Sequence, residues 1–135
     1  MMSRVSLFCA TAWLFFAVSS LAQGTAEDGA LVFQQACAGC HGAEGRGDGP
    51  TAALLSIPVP DLTGFARRND GFFDPVQVVR FIDGREGMAA HGGPMPMFGG
   101  LLTGPSVVID AKDGSPVSTT QAILSVVLWL EAQQQ

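Results

Sequence analysis

The sequence predicts a small all-α domain. Three stretches carry helix signals, the chain between them is rich in glycine and proline, and no stretch alternates regularly enough to predict a sheet. The 135 residues allow one domain and little more.

The first stretch stands apart from that domain. "MMSR" places one positive charge in front of "VSLFCATAWLFFAV", an uncharged run from Val5 to Val18, and small residues follow at Ser20 and Ala22. Basic start, apolar centre and small-residue site are the order of a secretory signal peptide. The expected organisation is a signal over 1–22 and a domain over 23–135, exported to the periplasm. The alternative is an uncleaved membrane anchor, since the run from Val5 to Ala22 is near the lower length limit for a span. Cleavage removes Cys9 and Arg4. The mature chain then keeps Cys37 and Cys40 as its only cysteines, and 6 basic residues face 12 acidic ones. Such a field excludes general nucleic-acid binding and favours a partner with a basic patch or an apolar contact.

"EDGALVFQQA", from Glu27 to Ala36, predicts a short helix with Ala30, Phe33 and Cys37 on one face. "HGAEGRGDGP" has too many glycines for anything but a loop, and Pro58 and Pro60 impose extended chain. "FFDPVQVVRFIDG" predicts the clearest helix: Asp74 as N-cap, Pro75 in the first helical position, Gly84 after the end. "HGGPMPMFGG", 91–100, predicts a second constrained loop. Residues 103–118 read as a polar connector in which "SVVID" is a short strand or nothing regular. In "STTQAILSVVLWLEAQQQ", Ser118 and Gln121 have the spacing of a capping box. The run from Ala122 to Leu130 that follows is too short to span a bilayer and apolar nearly all round, so it predicts a buried helix and no membrane span in the mature chain.

The chemistry lies in "CAGCHG". Two thioether bonds to haem vinyl groups need sulfurs at a fixed separation, which Cys37 and Cys40 supply, and His41 then falls under the porphyrin as an axial ligand. Competing readings account for less. A redox dithiol wants a strand–helix context, a structural zinc site wants four ligands, and a disulfide leaves His41 unexplained. One covalently bound haem c is therefore expected. For the other axial position the candidates are Met88, His91, Met95 and Met97. Met95 is favoured because it sits between Pro94 and Pro96 on a rigid loop, where a methionine is poor core filler and a good soft ligand. Met97, His91 and an open site stay as alternatives.

These motifs, with "GRGDGP" at 45–50, "PDLT" at 60–63, "FIDGR" at 81–85, "HGGPMPMFGG" and a last helix ending "LWLEAQ", resemble a class I mono-haem c-type cytochrome of bacteria. The resemblance implies a cytochrome c-like fold in which the first and last helices cross, with Gly29, Phe33 and Trp129 at the contact and long loops around the haem. It places the methionine ligand at Met95. It also implies that the carbonyl of Pro60 receives the imidazole N–H of His41. Propionate partners are unassigned, with Arg67, Arg68 and Thr63 the nearby candidates, and the 103–118 connector has no counterpart. The expected function is single-electron transfer with redox partner proteins: a dehydrogenase, an oxidase or another cytochrome. Two protein ligands on the iron argue against an enzyme, and Met/His ligation raises the reduction potential. The alternatives are a subunit permanently bound to a larger oxidoreductase, and a haem sensor or peroxidase-like protein with an open sixth site.

Overall fold

Thr25 starts the first helix: its hydroxyl accepts from the Asp28 N–H, and the Asp28 carboxylate accepts from the Thr25 N–H. This reciprocal cap satisfies two donors that a helix start leaves open. The computed structural model describes residues 24–84, 95–96 and 98–135. The predicted signal peptide, Met88, His91 and Met97 lie outside the described residues. Four α-helices follow in order: α1 (Ala26–Ala36), α2 (Ala38–His41), α3 (Pro75–Asp83) and α4 (Gln121–Ala132), with single 3₁₀ turns at 52–54, 62–64 and 67–69.

The helix over 75–83 has the ends its sequence specifies. The Asp74 carboxylate accepts from the Gln77 N–H at 3.1 Å, Pro75 takes the first position, and Gly84 closes it in a left-handed conformation. Its buried side, Val76, Val78, Val79 and Ile82, joins the core.

That core centres on α1 against α4, the most extensive contact between any two elements described. Gly29 is the reason they come so close. A Cβ there would meet the carbonyl of Ser125 and the Cβ of Trp129. One turn on, the Phe33 and Trp129 rings stack with centroids 4.2 Å apart, and Phe33 is 1% exposed. Burying a ring of this size is worth about 1.5–3 kcal/mol. On α4, Ile123, Ser125, Val126, Val127 and Leu130 are all buried, as the apolar sequence of that helix requires.

Two expectations need correction. The predicted connector contains a hairpin, in which "SVVID" is the short strand of its two readings: β1 (Ser106–Asp110) pairs antiparallel with β2 (Pro116–Thr120), from Ser106 opposite Thr120 to Asp110 opposite Pro116. Val117 and Thr119 point inward and are buried, while Val108 is exposed. Strands of five residues carry little alternation to detect: β1 is SVVID, and β2, PVSTT, both begins with proline and is rich in serine and threonine. The signal that does exist is Asp113-Gly114 in the turn. The Asp113 carboxylate there accepts from the Ser115 N–H and hydroxyl, which pulls its pKa below the ordinary carboxylate range. The second correction follows from the first. Ser118 belongs to β2, so the last helix is capped instead by Thr120, whose Oγ1 accepts from the Ile123 N–H and donates to the Leu102 carbonyl.

Candidate functional site

The end of α1 delivers the cysteine motif. The Cys37 N–H continues the helix ladder to the Phe33 carbonyl, and α2 places His41 one turn later, its N–H on the Cys37 carbonyl at 2.9 Å. The glycine-rich loop then folds back on this turn. The Gly49 N–H donates to the Cys40 carbonyl and the Thr51 N–H to the Gly39 carbonyl. A side chain at 49 would collide with the backbone of residues 38–40, so the glycine is needed for this approach.

Neither sulfur is in a disulfide. Cys37 is buried, and burial, reinforced by Cys40, pushes its pKa up to about 11, so it is a neutral thiol. The Cys40 Sγ lies 3.2 Å from Thr51 Oγ1, whose own proton goes to the Gly39 carbonyl at 2.6 Å. A threonine hydroxyl has one proton, so the Cys40 thiol is the donor of that pair. His41 is half-buried, and desolvation lowers its pKa, favouring the neutral imidazole that can ligate a metal. The Pro60 carbonyl is close enough to oppose that shift. The pair stops short of full hydrogen-bond geometry, and His41 Nδ1 is buried with no hydrogen-bond partner among the described residues.

Cys37, Cys40 and His41 line a cavity of about 560 Å³, within the range of pockets that bind small cofactors. Its walls are apolar. Leu55, Ile57 and Val59 come from the extended chain, Leu62, Phe65 and Phe73 from the turns after it, Val78, Phe81 and Ile82 from α3, and Leu130 from α4. Phe65 meets Phe73 and Phe81 edge to face, with centroids 6.0 and 6.3 Å away. Met95, Pro96 and Phe98 line it as well. The chain after Met95 is tied to the end of α3: the Phe98 N–H donates to the Ile82 carbonyl and the Gly99 N–H to the Asp83 carbonyl.

The candidate residues therefore converge: Cys37, Cys40, His41, Pro60 and Met95 line one space. Of the three propionate candidates, Arg68 lines it too, with Nη2 donating to the Asp61 carbonyl at 2.8 Å. Arg67 and Thr63 are not in its lining, and the Thr63 hydroxyl is committed to the Asp61 carboxylate. Two free thiols, a neutral imidazole and a thioether around an apolar space fit a planar metal macrocycle with polar edges. Nothing local in the sequence marks Thr51 as the partner of Cys40, nor Gln134 and Gln135 as hydrogen-bond partners of residues 62–66 beside the cavity. In a comparison with protein families, residues 26–105 match the family described as cytochrome c. No curated protein and no solved structure matches the chain.

Proposed function

The chain belongs to the cytochrome c family, which implies covalent haem c, electron transfer and redox partners, and from that premise we propose a one-haem electron carrier in which Cys37 and Cys40 would bind the haem and His41 and Met95 would ligate its iron. The observation that supports this most is the convergence of these four side chains on one apolar cavity. The haem, when bound, supplies an iron that cycles between ferrous and ferric forms.

The chain's own residues prepare the site for it. The neutral His41 imidazole presents a lone pair, and the Pro60 carbonyl is the acceptor within reach of its other nitrogen. Such a bond would fix the ring and raise its basicity as a ligand. The aromatic and aliphatic walls exclude water, which disfavours the more highly charged oxidised form. Burial and a thioether ligand both act to raise the reduction potential. Among the described residues no helix is long and apolar enough to cross a membrane. With the signal read in residues 1–22, we place the carrier in the periplasm, exchanging electrons with a dehydrogenase, an oxidase or another cytochrome.

The test is Met95→Ala in the haem-bearing protein. The expected result is loss of the weak methionine-to-ferric-iron charge-transfer band, a lower reduction potential and carbon monoxide binding to the reduced form. Axial ligands move haem potentials over roughly 0.8 V, so the change will be readily measured. An unchanged band in Met95→Ala, with its loss in Met97→Ala, would move the ligand to Met97. Carbon monoxide binding by the unsubstituted protein would favour the open-site alternative.

A further inference from the structure

The wall of the cavity formed by residues 61–66 contains only a single 3₁₀ turn. On its inner side Leu62 and Phe65 line the cavity. On its near side the Leu62 N–H reaches the Gly45 carbonyl at 2.7 Å, and the Asp61 carboxylate accepts from the Thr63 N–H and hydroxyl. Three further backbone groups of the wall are met by the end of the chain. Gln134 Nε2 donates to the Leu62 carbonyl at 3.0 Å, the Ala66 N–H donates to Gln134 Oε1 at 2.8 Å, and the Gln135 N–H donates to the Thr63 carbonyl at 3.0 Å. The same Gln134 Nε2 donates to the Leu130 carbonyl at 2.8 Å, in the last turn of α4, and Leu130 itself lines the cavity.

One half-buried amide thus joins the cavity wall to the end of α4. Its orientation is fixed by chemistry: two carbonyls face the NH₂ group and one N–H faces the oxygen, so the reverse orientation would set like against like at every contact. Solvent exposure is one of the controls a protein has over haem potential. A wall that opens admits water beside the iron, favours the oxidised form and lowers the potential.

We propose that Gln134 is a positioning residue for the redox centre: its amide holds Leu62 and Phe65 in the cavity wall, and through that wall it sets the reduction potential. This rests on the haem reading given above. Gln134 acts through the wall and touches no reacting atom.

The experiment compares Gln134→Ala and Gln134→Glu with the unsubstituted full-length, haem-bearing protein, with Gln133→Ala as the neighbouring control. Amide hydrogen exchange at Ala66 and the reduction potential are both measured. In Gln134→Ala, Ala66 exchange is expected to rise about tenfold, the factor that corresponds to one net hydrogen bond, and the potential to fall. Gln134→Glu still accepts from Ala66 but repels the Leu62 and Leu130 carbonyls, so its exchange lies between the other two while its potential also falls. Unchanged exchange in Gln134→Ala overturns the clasp. Faster exchange with an unchanged potential overturns the positioning role and leaves a structural contact. The charge-transfer band of the unsubstituted protein, read in the same samples, reports the ligation separately. Its absence would remove the His41/Met95 assignment, while the exchange and potential comparisons still decide the role of Gln134.

Discussion

The α1–α4 crossing and the cavity are built on opposite principles. At the crossing, apolar side chains bury one another. Gly29 admits the backbone of α4, Phe33 stacks on Trp129, and Ile123, Val126 and Val127 are at most 1% exposed. Around the cavity, side chains of the same type face a space of about 560 Å³, and outside the helices the wall is held by isolated hydrogen bonds: the Leu62 N–H on the Gly45 carbonyl, the Phe98 N–H on the Ile82 carbonyl, and the Gln134 amide on Leu62 and Ala66. The first region has its packing partners within the chain. The second gains its packing when a ligand fills the cavity, and ligand binding to the native state alone stabilises that state. Folding and haem binding are therefore expected to be coupled at the cavity and largely separate at the crossing.

The largest effect should come from removing the ligand. Cys37→Ala together with Cys40→Ala is expected to abolish haem that survives denaturing electrophoresis and to leave a loosely packed chain. Residue-resolved hydrogen exchange should show lost protection at Leu62, Ala66, Phe98 and Gly99, with protection retained longest in α1 and α4. Equal loss in both regions would break the distinction, and a cooperative, heat-stable apo form with native helix content would contradict the coupling altogether. Next in size is Phe33→Ala. Truncating a fully buried ring costs about 3–5 kcal/mol, read as a lower denaturation midpoint in the haem-bearing protein, with the reduction potential nearly unchanged because Phe33 does not line the cavity. Smallest is Gly29→Ala. The added methyl gains roughly 1 kcal/mol of helix propensity, but it meets the Ser125 backbone, and overpacking costs about 1–3 kcal/mol. A net loss of up to about 2 kcal/mol is expected. Stabilisation would show that the helices can separate without penalty and that the crossing is looser than its geometry.

The sequence was most readable where the information is local. The helix over 75–83 follows from Asp74, Pro75 and Gly84, each acting within one turn of itself. The cysteine–histidine motif is likewise a matter of spacing along five residues. The crossing was anticipated through family resemblance, by the size of Gly29, Phe33 and Trp129. What local signals lacked was the knowledge of which surfaces meet. Pro116 and a serine–threonine run are weak strand signals, and the burial of Val117 and Thr119 depends on packing of β2 against α3 and α4, which are distant in the sequence or not yet placed. The spacing from Ser118 to Gln121 fits a capping box whether or not Ser118 lies in a strand, so local signals alone do not pass the cap on to Thr120. Gln134 reads as a tail residue until the chain brings it beside Leu62 and Ala66.

The hairpin has a consequence for how the chain tolerates change in length. The Gln121 N–H donates to the Pro105 carbonyl at 2.9 Å, so residues 106–120 leave and rejoin the domain at one place. Matching to the family ends at the first of these two residues. A segment whose ends already touch can be lengthened at its tip with little entropic penalty, about 0.6 kcal/mol for each doubling of a flexible loop. Its tip, Lys112 to Gly114, is exposed, and the Lys112 ammonium lies over the Phe72 ring at 3.6 Å. The tip lies outside the cavity lining. It is the natural position for a tether to an electrode or a fused domain, joined to the protein without lengthening any path through the site itself.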